Sequence, residues 1–192
     1  METKKEIRQR FLEKRSKMPA QEIKHASEII TQKIINLPEF KNAKNIMCYY
    51  SVGKEVCTHE LINYALENNK KISVPKVLNG FGDMEAYLIT SKKDLILNSK
   101  FGIWEPDVNI CKKQDLSELE LIIAPGVAFD KRFNRLGRGR GCYDKFLAAA
   151  PSSAFKLGVC YVAQIYEDVL PVSDMDVRMD FVVTERVNTI KN

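Results

Sequence analysis

The sequence predicts an α/β protein, a three-layer sandwich in which helices flank a mostly parallel central sheet. Short, continuous apolar runs such as residues 121–124 are typical of strands that are buried on both faces. These runs alternate with longer stretches whose apolar residues recur at helical spacing, which is the pattern of α/β architecture. With 192 residues, 45% of them hydrophobic and 29% charged, the chain has the composition of a globular protein rather than of a disordered one.

Two helices are predicted in the first forty residues. Ile7, Phe11 and Met18 lie at helical spacing in a charged background, and this helix is expected to end before Pro19. A second amphipathic helix follows and is expected to end near Pro38. Its apolar face consists of Ile23, Ala26, Ile30 and Ile34.

The rest of the chain alternates between strands and helices. Apolar runs predict strands at residues 46–50, 72–75, 84–89, 121–124, 157–162 and 181–183. Thr58 is placed to cap a helix after the first strand, and another helix is predicted at residues 143–150. Pro75 is expected to end its strand, because proline cannot donate to the ladder. Ligands in such folds bind beyond the carboxyl ends of strands, so the residues after Tyr50 and Ala124 are the expected place for a site.

Composition also narrows the class of protein. We expect a single domain over residues 1–192, since no linker, repeat or low-complexity segment divides the sequence. The charged first turn is unlike a signal peptide, and no apolar run approaches the length of a membrane span. Five cysteines without a CxxC pair indicate reduced thiols and neither a disulfide framework nor a zinc site. These features predict a cytoplasmic protein with no membrane partner, either a monomer or a weak homo-oligomer.

The charge of the chain is unevenly distributed. The formal net charge is +5. An N-terminal basic cluster, residues 4–17, contains seven basic and two acidic residues, and a second basic cluster, residues 131–145, contains six and one. All other positions together contain 17 basic and 22 acidic residues, a net charge of −5. Two such clusters are expected to attract anions, which include phosphate, nucleic acid and acidic small molecules.

The second cluster contains the most informative motif, residues 135–143 (RLGRGRGCY), which we call the glycine loop. Its alternating glycines let the backbone approach a ligand closely, and the arginines between them offer paired donors to oxyanions. The helix predicted directly afterwards adds N-terminal amides that favour a phosphate. The loop therefore predicts a polyphosphate site, although it is neither a Walker A loop nor GxGxxG.

Other interpretations of this segment stay open at this point. A flexible basic surface loop, or a Gly/Arg stretch that contacts RNA, has a similar composition. Asp144, directly after the glycine loop, suits Mg²⁺, because this ion prefers carboxylate and nucleotide phosphate oxygens. The same residue also fits an acid in a first helical turn that only complements the helix dipole.

Longer matches identify a family. Residues 125–130 (PGVAFD), 134–139 (NRLGRG) and 141–147 (GCYDKFL) closely resemble the signature of 5-formyltetrahydrofolate cyclo-ligases, also called methenyltetrahydrofolate synthetases. Cys57, Arg140 and Cys142 depart from the family pattern, which leaves the contacts at these positions open. Shorter matches extend the resemblance over nearly the whole chain: Lys4-Lys5 with Arg8, residues 53–56 (GKEV) with Thr58, Val74-Pro75, and residues 102–103 with 105–106.

This resemblance implies an ATP-dependent ring closure of 5-formyltetrahydrofolate to 5,10-methenyltetrahydrofolate, giving ADP and phosphate with Mg²⁺, on an α/β sandwich. The implied partners are therefore small molecules, reduced formylfolate and ATP, and not nucleic acid. The resemblance places ATP on two segments of the chain. They are Lys4, Lys5, Glu6, Ile7 and Arg8, and the glycine loop with Arg135, Leu136, Gly137, Arg138, Gly139, Arg140, Gly141, Cys142 and Tyr143.

Individual roles follow from the resemblance and from charge. We hypothesise that Arg138 and Arg140 are catalytic and stabilise the transferring phosphoryl group. The family match makes Glu55 a contact to the polar edge of the pterin, and Tyr50 is a candidate wall of the folate pocket. The candidate Mg²⁺ ligands are Asp144 and, second, Asp176, with Asp174 or Asp180 as alternatives to the latter.

The N-terminal basic cluster leads to a geometric prediction. Lys4 and Arg8 share one helical face, so the first helix should pack beside the glycine loop and bind the same triphosphate. The remaining basic residues of this helix are expected on a solvated face without a role in the site. They are Arg10, Lys14, Arg15 and Lys17. The competing functions are an RNA-binding protein that uses both clusters, and a sugar-phosphate isomerase or CoA-transferase on a similar sandwich.

Overall fold

The computed structural model describes residues 2–78, 82–98 and 102–186. The α-helices in these ranges are α1 (Lys4–Ser16), α2 (Ala20–Asn36), α3 (Pro38–Asn42), α4 (His59–Glu67) and α5 (Cys142–Ala149). The strands are β1 (Asn45–Cys48), β2 (Lys71–Val77), β3 (Met84–Ile89), β4 (Leu95–Asn98), β5 (Ile103–Pro106), β6 (Leu121–Pro125), β7 (Ala128–Asp130), β8 (Arg135–Leu136), β9 (Phe155–Val159), β10 (Ile165–Tyr166) and β11 (Phe181–Val183). None of the described helices is long and apolar enough to cross a lipid bilayer.

The largest sheet contains six strands in the order β11-β9-β6-β1-β2-β3. Four neighbouring pairs are parallel and only β2 and β3 run antiparallel. The apolar run of β6 lies between β1 and β9, where both of its edges are hydrogen-bonded. The predicted mostly parallel central sheet is confirmed.

Helices cover both faces of this sheet. Ile46 and Ile123 point to the face on which α2 and α4 pack, where they join Leu61 in one apolar cluster. Met47, one residue along β1, points to the opposite face and packs with Phe146 of α5. Each such full burial stabilises the fold by about 1.5–3 kcal/mol, and the alternation along β1 produces the three predicted layers.

The prediction that Pro75 ends its strand is wrong, because β2 continues to Val77. β1 pairs with β2 only as far as Ser73, so one edge of β2 is open at Pro75. An open edge tolerates a residue without an N–H, while the other edge still pairs Pro75 with Ala86 of β3. The strands predicted at 46–50 and 157–162 end earlier, at Cys48 and Val159.

A second sheet, with the order β10-β7-β8, lies outside the sequence prediction. Its strands have two or three residues each, which is too short for a periodic signal. β7 and β8 form an antiparallel hairpin after β6, and β8 is also the first two residues of the glycine loop. This hairpin sets the direction in which the glycine loop leaves the sheet.

Helix α1 packs on the second sheet. Its start is fixed by a capping box, in which the Thr3 hydroxyl accepts from the Glu6 backbone N–H and the Glu6 carboxylate accepts from the Thr3 N–H. Ile7 and Phe11 are buried in an apolar cluster with Leu136 of β8. The helix is therefore held against the segment that carries the glycine loop.

Candidate active site

Two loops define the candidate site, and both follow the carboxyl ends of neighbouring strands. β1 leads into residues 49–58, which we call the first loop, and β6 leads into the hairpin and the glycine loop. Since β1 and β6 are parallel, their carboxyl ends lie at the same edge of the sheet. This is where the sequence places the site.

The first loop is closed by its own hydrogen bonds. The Tyr49 hydroxyl donates to the Val56 carbonyl at 2.9 Å, and the Ser51 and Thr58 side chains each accept from the other residue's backbone N–H at 3.1 and 3.2 Å. The Thr58 hydroxyl donates to the Tyr49 carbonyl at 2.7 Å and does not cap α4, although Thr58 occupies the N-cap position. These bonds give Glu55 a fixed backbone position.

Asp130, a fully buried acid at the end of β7, shapes the hairpin that precedes the glycine loop. Its carboxylate accepts from the backbone N–H groups of Arg132, Asn134 and Leu170, each at 2.9 Å. The tight turn also places Phe133 in the left-handed region, with φ of 65°. A buried carboxylate that orders a turn carries no periodic sequence signal, and its role in the site is indirect.

The glycines of the loop are required by its geometry. A Cβ on Gly137 would lie 2.9 Å from the Arg135 guanidinium, closer than side-chain carbons approach. Gly139 and Gly141 have φ of 103° and 69°, which L side chains rarely adopt. Gly141 is the N-cap residue of α5, so the loop ends directly at free helix amides.

Helix α1 and the glycine loop are in contact, as the sequence predicts. The Arg8 Nε donates to the Gly137 carbonyl at 2.8 Å, and Gly139 faces the Arg8 guanidinium. Lys4, one turn earlier, forms an ion pair with Asp176. The two basic clusters, more than a hundred residues apart in sequence, therefore meet at one edge of the molecule.

The other predicted residues of α1 lie elsewhere. Lys5 is exposed, Glu6 is engaged in the capping box, and Ile7 is buried in the apolar cluster beneath the helix. Of residues 4–8, the charged side chains that bond to segments of the site are those of Lys4 and Arg8.

Arg138 connects the two loops. Its Nη2 donates to the Glu55 Oε1 at 2.6 Å, a charge-assisted hydrogen bond. The Glu55 side chain is 9% exposed, whereas that of Arg138 is 59% exposed. The arginine can thus swing into solvent or toward a ligand, while the carboxylate stays where the first loop holds it.

Arg135 is placed differently from the arginines that follow it. Its side chain is buried, its Nη2 donates to Asp144 Oδ1 at 2.8 Å, and its Cζ lies 5.4 Å from the Tyr143 ring centroid. Burial raises the pKa of the Tyr143 hydroxyl well above its ordinary value. Arg135 therefore fixes the junction between the glycine loop and α5, and it orients the carboxylate of Asp144.

The four acids predicted as metal ligands lie in different places. The Val177 N–H donates to Asp144 Oδ1 at 3.3 Å, which brings the neighbouring Asp176 close to Asp144. Asp174 is exposed, and Asp180 is committed to the sheet edge, where its carboxylate accepts from the Lys156 N–H at 2.7 Å. Asp176 is therefore the acid of this stretch that lies at the site.

The charge state of Asp176 is set by its partners. Burial opposes ionisation of this carboxyl, but hydrogen bonds from Lys4 and from the Ser173 backbone and hydroxyl outweigh it and lower its pKa. Among the described residues, no group of three or more His, Cys, Asp or Glu side chains forms a metal site by itself.

Tyr50 and Cys57 of the first loop form a group with His59, the first residue of α4. The Tyr50 and His59 rings stack with centroids 4.1 Å apart, and His59 Nε2 lies 3.2 Å from the Ser51 carbonyl oxygen. A hydrogen bond from His59 lowers the pKa of the Cys57 thiol to about 7, and the same contact raises the pKa of His59. This pair was missed because a Cys-x-His spacing by itself indicates nothing specific.

The expectation that Arg15 lies on a solvated face is wrong, since only 9% of it is exposed. Burial lowers the pKa of its guanidinium, an effect that Glu55 opposes and the charge of Arg138 reinforces. A sequence signal for this position exists. Arg15 follows Ile7 and Phe11 at intervals of four, so it belongs to the buried face of α1.

The remaining predicted residues lie in the glycine loop. Leu136 is buried under α1, and Arg140 is exposed, with its backbone carbonyl against Gly82. Cys142 is half-buried at the start of α5, where burial raises the pKa of its thiol. Neither Leu136 nor Cys142 therefore presents a charged group to a ligand.

The fold and this edge together define a class of protein. Three ion pairs lie beyond the carboxyl ends of β1 and β6, next to the backbone amides of the glycine loop. This is the arrangement of an α/β enzyme that binds an anionic small molecule.

The family model of the 5-formyltetrahydrofolate cyclo-ligase family matches residues 1–185, and the chain belongs to this family. A probable 5-formyltetrahydrofolate cyclo-ligase of Schizosaccharomyces pombe is 36% identical over 167 residues, covering 81% of each chain. The 5-formyltetrahydrofolate cyclo-ligase of Haemophilus influenzae is 35% identical over 176 residues, 91% of this chain and 93% of the relative.

Solved structures agree with the family assignment. The 5,10-methenyltetrahydrofolate synthetase of Aquifex aeolicus superposes with a TM-score of 0.83 at 33% identity, covering 96% of this chain and 90% of that one. A 5,10-methenyltetrahydrofolate synthetase from Mycoplasma pneumoniae has a TM-score of 0.76 at 21% identity, over 95% and 99% of the two chains. The second likeness concerns the fold alone.

Proposed function

We propose that this chain catalyses the ATP-dependent cyclisation of 5-formyltetrahydrofolate to 5,10-methenyltetrahydrofolate, with release of ADP and phosphate. The observation that carries the proposal is the hydrogen-bonded ion pair between Arg138 and Glu55. This ion pair joins the glycine loop, which is expected to bind the phosphates of ATP, to Glu55, which is expected to bind the pterin. Both substrates then meet at one point, and the names of the relatives support the same reaction.

The chemistry requires activation of a poor leaving group. The formyl oxygen on N5 attacks the γ-phosphorus of ATP, a new P–O bond forms, and the bond to the bridging oxygen of ADP breaks. N10 then attacks the formyl carbon, loses its proton, and the C–O bond breaks to release phosphate. No side-chain nucleophile is needed, so the protein acts by positioning the reactants and by neutralising charge.

The phosphate side of the site is formed by α1 and the glycine loop. Arg8 holds the loop through the Gly137 carbonyl, and the amides at the start of α5 face the ligand. Arg138 and Arg140 are exposed guanidiniums of this loop and are assigned to the γ-phosphoryl group during transfer. The N–H groups of these two guanidiniums can stabilise the negative charge that develops on the phosphoryl oxygens during transfer.

The folate side is formed by the first loop. Glu55 offers carboxylate oxygens to the N–H groups of the pterin, and Tyr50, stacked on His59, forms a wall beside it. In the structure Arg138 occupies one Glu55 oxygen. Folate binding replaces that contact and frees the arginine for the phosphoryl group.

Mg²⁺ is part of the proposal, with Asp144 and Asp176 as the residues that would hold it. They fit this ion, because both are hard carboxylates that Arg135 and Lys4 keep oriented, and the residue after Asp176 bonds to Asp144 through its backbone N–H. The nucleotide phosphates and water would complete the ligand set. When bound, Mg²⁺ supplies neutralisation of charge on the β- and γ-phosphates.

We also propose a single cytoplasmic domain over residues 1–192 that acts as a monomer or weak homo-oligomer. All five cysteines are free, which suits a reducing compartment. An RNA-binding protein, or an isomerase or CoA-transferase, is not favoured, since the arginines of both basic clusters converge on one small site.

The proposal is tested with purified protein, 5-formyltetrahydrofolate and MgATP, by following the absorbance of the methenyl product. We expect product only when ATP is present, with one ADP formed per turnover. ATP-independent product, or RNA binding without turnover, would contradict the proposal. A parallel reaction with EDTA in excess of magnesium tests the metal and should lose most of the rate.

A further inference from the structure

Arg15 is the charged residue whose position the proposed roles leave unexplained. It lies in the last turn of α1, is nine-tenths buried, and its guanidinium forms no hydrogen bond or ion pair within the described parts of the chain. Glu55 acts on this guanidinium electrostatically but does not bond to it, so the N–H groups of Arg15 are available to an anion. The presence of this guanidinium indicates an anionic ligand.

The surroundings of Arg15 locate that ligand. The groups that act electrostatically on its guanidinium include Glu55, Arg138 and the hydroxyls of Tyr49 and Tyr161. Both hydroxyls are engaged already: Tyr49 donates to Val56, and Tyr161 donates to the Glu55 carbonyl at 2.9 Å. The first loop also contacts this end of α1 directly, because the Lys54 ammonium donates to the Ser16 and Met18 carbonyls at 2.5 and 2.8 Å. Arg15 therefore lies beside the first loop, close enough to Glu55 and Arg138 to interact with both.

Helix geometry connects Arg15 with the nucleotide side of the site. Arg15 follows Arg8 by seven residues, two turns of α1, so both lie on nearly the same face about 10 Å apart along the axis. Arg8 touches the glycine loop, whereas Arg15 lies near Glu55. Helix α1 thus carries one guanidinium beside the glycine loop, where ATP is proposed to bind, and another near Glu55, where the pterin is proposed to bind.

We propose that Arg15 binds the phosphoryl group once it has moved onto the formyl oxygen, and then the phosphate ion that leaves. This inference rests on the proposed function, because the formyl group on N5 adjoins the pterin that Glu55 holds. The γ-phosphorus ends its transfer there, beside Arg138. The carboxylates of the folate tail are the other source of negative charge, but the p-aminobenzoyl group separates them from the pterin end.

The decisive variant is Arg15→Met, which keeps the apolar stem and removes the charge, with Lys14→Met as its control. Lys14 is the neighbouring basic residue on the exposed face of α1. For Arg15→Met we expect kcat to fall about 100-fold or more, with KM for formylfolate nearly unchanged, and product inhibition by phosphate to weaken about tenfold. Arg15→Lys should restore part of the kcat and part of the product inhibition by phosphate.

A readout without turnover tests binding directly. Inorganic phosphate should raise the melting temperature of the wild-type protein and of Lys14→Met, but not that of Arg15→Met. Without ligand, Arg15→Met should melt near the wild-type temperature, because methionine keeps the apolar packing of the stem and the charge that is lost forms no hydrogen bond or ion pair within the described residues. A destabilised variant that keeps the phosphate response would mean that Arg15 acts in folding alone, which overturns the inference.

The outcomes separate the alternatives. If wild-type protein makes no methenyl product, the proposed function fails, while the phosphate-induced shift still reports on Arg15 as an anion site. If wild-type protein is active and Arg15→Met matches it in kcat and in phosphate response, the inference is wrong. A further outcome concerns the glutamate tail of the substrate. If Arg15→Met has a higher KM than wild type for formylfolate, but the same KM for 5-formyltetrahydropteroate, which lacks that tail, then Arg15 binds the tail. This result would also overturn the inference.

Discussion

At the scale of single residues, Arg138 is the side chain on which turnover should depend most. Replacing Arg138 with Ala removes a donor that gains strength as charge develops, so we expect kcat to fall about 10²–10³-fold. Glu55 is held by the first loop and stays in place, so KM for formylfolate should change by less than about threefold. Steady-state kinetics with each substrate varied in turn measures both quantities.

Arg132→Ala is the matched control for Arg138→Ala. Arg132 is an exposed arginine of the same basic cluster, but only its backbone N–H serves the fold, through Asp130. This variant should retain the wild-type kcat. Equal losses in the two variants would mean that net charge, and not the position of Arg138, supports turnover.

Cys57 should react at a lower pH than an ordinary thiol. Its pKa is lowered from 9.0 to about 7 chiefly by the hydrogen bond to His59, so the reactive thiolate fraction rises as the pH passes about 7. Alkylation by iodoacetamide, followed by mass spectrometry of the Cys57 peptide, should give a midpoint near pH 7. In His59→Gln the midpoint should move up toward 9, and a wild-type midpoint near 9 would contradict the pairing.

Single residues also mark where sequence analysis succeeds and where it stops. Arg8 and Glu55 were assigned to the proposed site by the family resemblance, and a helical spacing and a strand end in the sequence agree with their positions. Arg15 could have been found, since the apolar positions of α1 put it on the buried face. Cys57 with His59 could not, because their contact depends on how the first loop folds back on itself.

At the scale of elements, Gly141 is the joint between the glycine loop and α5. An Ala at this position would meet no neighbouring atom, so the cost of Gly141→Ala is that of the left-handed backbone alone. We expect a loss of about 1–2 kcal/mol in the free energy of unfolding. Urea denaturation measures it, and Gly141→Asn should lose less, because Asn tolerates this conformation better.

The contrast between β6 and the β7–β8 hairpin explains which elements were predictable. β6 is a continuous apolar run that is buried in a parallel sheet, and its composition alone identifies it. The hairpin is made by hydrogen bonds to one buried carboxylate, Asp130, and its strands are too short for any period. Local polar networks of this kind become visible only in three dimensions.

At the scale of the whole molecule, the important feature is where the fold puts its charge. The two basic clusters meet at one edge through Arg8 and the glycine loop, while the rest of the chain carries a net charge of −5. An edge with a net positive charge on a body of net negative charge raises the rate at which a polyanion arrives. The net charge of +5 thus comes from two basic clusters at one edge of the molecule and not from a uniformly basic surface.

This distribution of charge predicts a salt dependence for ATP. We expect kcat/KM for ATP to fall several-fold between low ionic strength and 0.3 M NaCl, because the Debye length shrinks below about 10 Å above 0.1 M. Lys5→Gln, an exposed change within the N-terminal cluster, should lower kcat/KM at low salt and match wild type at high salt. Lys41→Gln on α3 removes the same charge from an exposed position outside both clusters and should have no effect. A salt-independent kcat/KM, or equal effects of the two variants, would contradict steering by the convergent clusters.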